Sequence, residues 1–196
     1  AAGAPAFPPA GINSHGLAIV SSGVWSDYAA AELGRTADSY VMANLRLLLR
    51  NAQSVSEAVE VLRQFRYVAG INLTAVDANQ GALIEIDLDM VQVTHPGDVG
   101  ILTNHYVSEE LRSKSMPRDQ YPSTYLRYER LQQLMHENHG DISFRHMLAF
   151  LQDHERGPQN SICRHATGVN DQDQSQDKRR EQARKPETGK SISQVG

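Results

Sequence analysis

Apolar residues along this chain recur in two rhythms, and the changes of rhythm divide it. After a turn-like Gly11-Ile12-Asn13-Ser14-His15-Gly16, the run Leu17 to Val20 reads as a short strand. Ser21 to Ala37 reads as an irregular loop around Trp25 and Tyr28. From Asp38, whose carboxylate can accept a free amide of a first turn, Val41, Leu45, Leu48 and Leu49 repeat at helical spacing. Ser54 and Glu57 have capping-box spacing, and Val55, Ala58, Val59, Leu62 and Phe65 share one face of a second helix. The short connection predicts an antiparallel helix pair packed on something flat.

The rhythm then shifts to alternation. Ile71 to Val76, Ala82 to Leu88, Met90 to Thr94 and Val99 to Thr103 read as strands, with a turn at Asn79-Gln80-Gly81. Such close spacing predicts antiparallel neighbours, because parallel ones need long crossovers. Alternation with Ile84 and Ile86 places Glu85 on the solvent side. A charged loop from Glu109 to Gln120 precedes Pro122, which suits the first turn of a helix reaching Asn138. Tyr125, Tyr128, Leu131, Leu134 and Met135 are its expected inward face. Gly140 ends it, and Asp141 is expected to cap a last helix that buries Ile142, Phe144, Met147, Leu148 and Leu151 before Gly157-Pro158.

Beyond Val169 little is left to bury, so ordering that stretch is not repaid. The expected organisation is an irregular lead-in over 1–10, one domain over 11–168 and a disordered polar tail over 169–196. Helices, then strands, then helices predict an α+β fold, an antiparallel sheet flanked by helices.

Composition narrows the functions. With 196 residues, 40% of them apolar, a real core can form. A net charge of -4 argues against a polyelectrolyte partner, so neither nucleic acid nor membrane is expected. The lone Cys163 excludes an internal disulfide and paired-thiol zinc or redox motifs. It fits a reducing compartment, the cytoplasm being the expected one. The opening Ala1 to Ala10 lacks the basic start of a signal peptide, and Ala1 in place of methionine fits a processed chain or a piece of a longer one.

Two side chains stand out for chemistry. Asn104, at a strand end, can donate to an oxyanion or simply satisfy nearby backbone. Arg164, after the apolar Ile162-Cys163 step, can meet a carboxylate or an anionic intermediate, or make a structural ion pair. Cys163 and His165 could form a thiolate pair, although a lone cysteine in an apolar step is more often inert. The histidines have no metal-binding spacing, and no phosphate loop, dinucleotide fingerprint or GxSxG elbow occurs.

Gly11-Ile12-Asn13-Ser14-His15-Gly16-Leu17, the paired helices, Thr103-Asn104-His105 and Ser161-Ile162-Cys163-Arg164 follow one another in an order that resembles the acyl-coenzyme A:6-aminopenicillanic acid acyltransferase family, C45 peptidases of the N-terminal nucleophile (Ntn) hydrolase superfamily. The resemblance implies a partial Ntn-hydrolase-like αββα fold. It also implies a self-processed cysteine whose own α-amine is the base, and acyl transfer from amides or thioesters. By the same resemblance Asn104 helps to stabilise the oxyanion and Arg164 is the cation near the nucleophile. Nothing here matches the nucleophilic cysteine, since Cys163 occupies the SICR position. The implied partners are a small-molecule amide or acyl-CoA substrate and a missing N-terminal segment of the same precursor. No cofactor or metal is implied, and the chain alone is expected to be inactive. Two alternatives remain open: a non-catalytic interaction module or remnant domain, and a thiol enzyme built on Cys163 and His165.

Overall fold

The computed structural model describes residues 10–26, 41–67 and 70–165. The expected Asp38 cap, most of the Trp25–Tyr28 loop and the 169–196 tail lie outside them. Strands β1 (Ala10–Ile12), β2 (Ala18–Val24), β3 (Gly70–Val76), β4 (Gly81–Asp87) and β5 (Met90–Thr94) form one antiparallel sheet in the order β1-β2-β3-β4-β5. Strand β2 continues through Ser21 to Val24, where a loop was expected. The ladder explains the difference, because β3 pairs with β2 along its full length.

Helices α1 (Val41–Asn51) and α2 (Val55–Leu62) cover one face. Alternation places Ile19, Leu73, Ala75, Ile84 and Ile86 on that face, buried with Leu45, Leu48, Val55, Ala58 and Leu62. Burying each large side chain is worth about 1.5–3 kcal/mol, so this contact dominates the core. Ser54 caps α2 by accepting from the Glu57 amide at 3.3 Å. The Glu57 carboxylate reaches one residue further back than in a capping box and accepts from Gln53 N at 2.9 Å. Asp77, in the β3–β4 turn, accepts from Val55 N at 2.7 Å and ties the helix start to the sheet. Asn13 ties down the C-terminal end of α1: its Oδ1 accepts from Leu17 N at 3.1 Å and its Nδ2 donates to Ala52 O at 2.7 Å.

The opposite face carries a polar row. The register sets Ser22 beside Asn72, and Asn72 beside Glu85, across β2, β3 and β4. The segment 103–108 lies over this row. Ser22 Oγ and Asn72 Nδ2 both donate to Thr103 O, and Asn72 Nδ2 also donates to His105 O at 2.8 Å. The Glu85 carboxylate accepts from Val107 N and from Ser108 N, the latter at 2.9 Å.

Two expectations are corrected here. Val99 to Thr103 is not a strand, because the chain crosses a sheet face and bonds side chains there instead of pairing at an edge. Glu85 does lie opposite Ile84 and Ile86, yet it is only 2% exposed, because this segment covers the face. Tyr106 anchors the crossing. Its hydroxyl donates to Ile86 O at 2.7 Å and passes so close to Gly70 that a Cβ there would lie 2.3 Å from it. Burial, then the Asp87 and Glu85 carboxylates, push the phenol's pKa up. Asp87 is itself paired with Lys114 at 2.8 Å.

Helix α3 (Pro122–Glu137) begins with the expected proline, but its most buried residues are Ser123, Thr124 and Leu134, while the tyrosines are half-buried. Helix α4 (Phe144–Leu151) is capped by Ser143 rather than Asp141, in a reciprocal box with His146. Its expected buried side faces outward: Phe144 is 77% exposed and Leu151 61%, and only Phe150 is buried. Helical spacing marks an apolar face but does not say that anything covers it. A short turn, α5 (Gly157–Asn160), leads into Ser161. The fold is α+β, with one sheet among the described residues, and no helix there is long and apolar enough to cross a membrane.

Glu85→Ala would strand two partly buried amides and should cost roughly 2–4 kcal/mol in urea unfolding. Phe144→Ser should stay within about 0.5 kcal/mol of the parent. The reverse ranking would contradict this arrangement.

Candidate active site

Asn104 leaves the polar row pointing along α3. Its backbone N–H donates to Thr124 Oγ1 at 2.7 Å. Its side chain is held at both ends: Arg127 donates to Oδ1 at 2.7 Å, and Nδ2 donates to Gly23 O at 2.7 Å, at the end of β2. Arg127 can only donate and a carbonyl can only accept, so the chemistry of the partners sets which way the amide faces. One Nδ2 hydrogen is left without a partner among the described residues.

Arg127 also links this amide to the α5 turn that precedes Ser161. Its Nε lies 3.4 Å from Ser123 Oγ, which donates to Gln159 O at 3.0 Å. Burial lowers the Arg127 pKa, and the charge of Arg164 lowers it further. Arg164 itself is exposed. The Asn104 Nδ2 and the Arg127 guanidinium are donors only, the kind of group that suits a developing oxyanion or a carboxylate.

The segment carrying Arg164 is fixed by backbone and ion pairs. Cys163 N donates to Asp153 O at 3.0 Å, and His165 N donates to Pro158 O at 2.9 Å. Arg130 of α3 bonds Asp153 at 2.8 Å and Glu155 at 2.6 Å, which docks the α4–α5 connection. Ser161 is fully buried, and its hydroxyl has no partner among the described residues. Cys163 is half-buried with Sγ 3.9 Å from His165 Nε2, but that nitrogen also lies 2.6 Å from His154 Nε2.

His105 turns away from Asn104. Its Nδ1 lies 3.0 Å from Thr103 Oγ1 and 2.9 Å from Thr124 Oγ1, and its ring stacks on Tyr125 with centroids 4.1 Å apart. Two cavities flank Tyr128, one of about 520 Å³ beside His105 and one of about 390 Å³ beside Ile101 and His136. Neither is lined by Asn104 or Arg164.

Sequence reasoning named Asn104 and Arg164 but missed Arg127, Ser123 and Thr124. The available signal was the spacing of Ser123 and Arg127, which puts a hydroxyl and a cation on one face of a helix opened by Pro122. A family model described as acyl-coenzyme A:6-aminopenicillanic acid acyl-transferase matches residues 9–173. No curated relative matches the chain.

Burial, followed by the Arg127 charge, lowers the His105 pKa from 6.5 to about 4. An unfolded chain takes up this proton near 6.5 and the folded chain only near 4, so the unfolded state binds more protons in between. This contribution to stability is therefore fully present above 6.5 and is lost as pH falls towards 4. An NMR titration should place the His105 midpoint near 4, and His105→Gln should flatten the acid limb of the stability profile. A midpoint at the ordinary histidine value would contradict the buried, neutral ring.

Proposed function

The chain belongs to the acyl-coenzyme A:6-aminopenicillanic acid acyltransferase family, and from that premise we propose that it supplies the anion-stabilising part of a site for acyl transfer from a small-molecule amide or an acyl-CoA thioester. The observation that carries the proposal is the two-ended clamp on Asn104, which leaves one amide hydrogen directed by Arg127 and Gly23. Asn104 donates that hydrogen to the carbonyl oxygen as it becomes an oxyanion. Arg164 lends positive charge beside it, and Arg127 positions the amide.

The attacking thiol is assigned to a segment of the same precursor outside this sequence, because the single cysteine, Cys163, faces a histidine pair. That cysteine's α-amine takes the thiol proton. The thiolate adds to the carbonyl carbon, and the π electrons move to oxygen. Collapse of the intermediate expels the amine, or coenzyme A as its thiol, and the departing group takes up the proton. Water or an acceptor amine then attacks the thioester that remains. No cofactor enters this sequence.

A second reading, a non-catalytic interaction module, draws its support from the exposed apolar face of α4. Turnover separates the two. The purified chain should hydrolyse or transfer no acyl-CoA or amide substrate. The chain extended into the coding sequence ahead of Ala1, with a cysteine at its processed start, should turn over, and Asn104→Ala should cut its kcat by about 10²–10³. Saturable turnover by the unextended chain would contradict the shared site, and an extended, folded chain without turnover would favour the interaction module.

A further inference from the structure

Three ligand atoms of the kind that bind transition metals meet where the α4–α5 connection faces the segment after α5. His154 Nε2 lies 2.6 Å from His165 Nε2, Cys163 Sγ lies 3.9 Å from the same nitrogen, and all three atoms lie within 4.8 Å of one another. We propose that His154, Cys163 and His165 form a binding site for a transition-metal dication, with Zn²⁺ the occupant their chemistry fits best. The proposal stands independently of the acyl-transfer reading.

The geometry carries it. Tetrahedral zinc with bonds of about 2.0–2.1 Å to nitrogen and about 2.3 Å to sulfur needs ligand atoms roughly 3.3–3.8 Å apart. The observed separations fall on either side of that range: 2.6 Å between the nitrogens, 3.9 Å from the sulfur to His165, and up to 4.8 Å within the three-atom group. Small rotations of the side chains that open the nitrogen pair and close the sulfur contact complete the site. Both imidazoles turn Nε2 inward, so without a metal one ring must keep a proton there to donate to the other. A dication replaces that proton and binds both nitrogens as well as the thiolate.

The framework is already in place. The backbone bonds Cys163 N to Asp153 O and His165 N to Pro158 O hold the two ligand-bearing stretches together. Arg130 holds Asp153 and Glu155 on either side of His154. Little ordering is therefore left for the ion to impose. The exposed rings of His154 and His165 give it a route in. Thiolate with imidazole favours zinc over magnesium or calcium, which take oxygen donors. Three protein ligands leave the fourth position to water. The sequence does not show this site, because His154 and Cys163 lack any recognised metal spacing until the α5 turn folds them together. Arg164 stands between two of the ligands, so a bound ion also holds the loop that carries it.

The test uses the full chain, stripped with a chelator and titrated with Co²⁺ and then Zn²⁺. About one Co²⁺ per chain should bind, with the visible bands of tetrahedral cobalt and a near-ultraviolet thiolate-to-cobalt band that Zn²⁺ displaces. Cys163→Ala should abolish the charge-transfer band, and His154→Ala and His165→Ala should each weaken Zn²⁺ binding roughly tenfold or more. His136→Ala should change neither. Zn²⁺ should also slow alkylation of Cys163 in the unmodified chain, a readout that needs no variant. Absence of the thiolate band in the parent chain, affinity that survives His154→Ala, or alkylation indifferent to Zn²⁺ would each overturn the site.

Discussion

A row of polar side chains on the sheet face opposite the helix pair is the constraint on which the rest of this structure depends. Ser22, Asn72 and Glu85 come from adjacent strands, and together they satisfy the backbone of a segment that no strand pairs with. Buried carbonyls and amides without partners each cost on the order of 1–3 kcal/mol, so an irregular segment can cover a sheet only where such partners exist. The same row explains why Glu85 is buried as a carboxylate acceptor for two amides. It also explains why Tyr106 can reach the sheet backbone over a glycine.

The site follows from that crossing. Once Thr103 and His105 are pinned by their carbonyls, Asn104 between them projects the other way, towards β2 and α3. There Thr124 takes its backbone amide and Arg127 its side-chain oxygen. Helix α3 then serves both halves of the candidate site, because its Ser123 and Arg130 also hold the connection and turn that lead to Arg164. Two segments far apart in sequence are thus positioned by one helix, itself docked on the segment the sheet face holds. Membership of the acyl-coenzyme A:6-aminopenicillanic acid acyltransferase family gives this arrangement its chemical context.

Much of this was legible beforehand, and what was not has a common cause. The faces of α1 and α2 and the alternation of β3, β4 and β5 follow from burial against one another, which periodicity encodes directly. Asn104 and Arg164 were visible as residue types in a motif order. The path from Val99 to Ser108 was not, because its partners are side chains on strands many residues away, and an apolar run leading into them resembles a strand. Alternation put Glu85 on the correct face and still mistook that face for solvent, since nothing local announces a covering segment. The apolar spacing of α4 was read correctly as a helix and wrongly as a buried one. The role of Arg127 depends on a contact with Asn104 that no spacing encodes.

Amide hydrogen exchange at Val107 and Ser108 tests the central claim most directly, because among the described residues the Glu85 carboxylate is the acceptor for both amides. In the parent chain they should exchange as slowly as the amides of β3 and β4. In the Glu85→Gln variant, which keeps the shape but weakens the acceptor, they should exchange much faster while the sheet stays protected. Rapid exchange of both amides in the parent chain, or unchanged protection in the variant, would show that the sheet face does not hold the segment on which Asn104 depends.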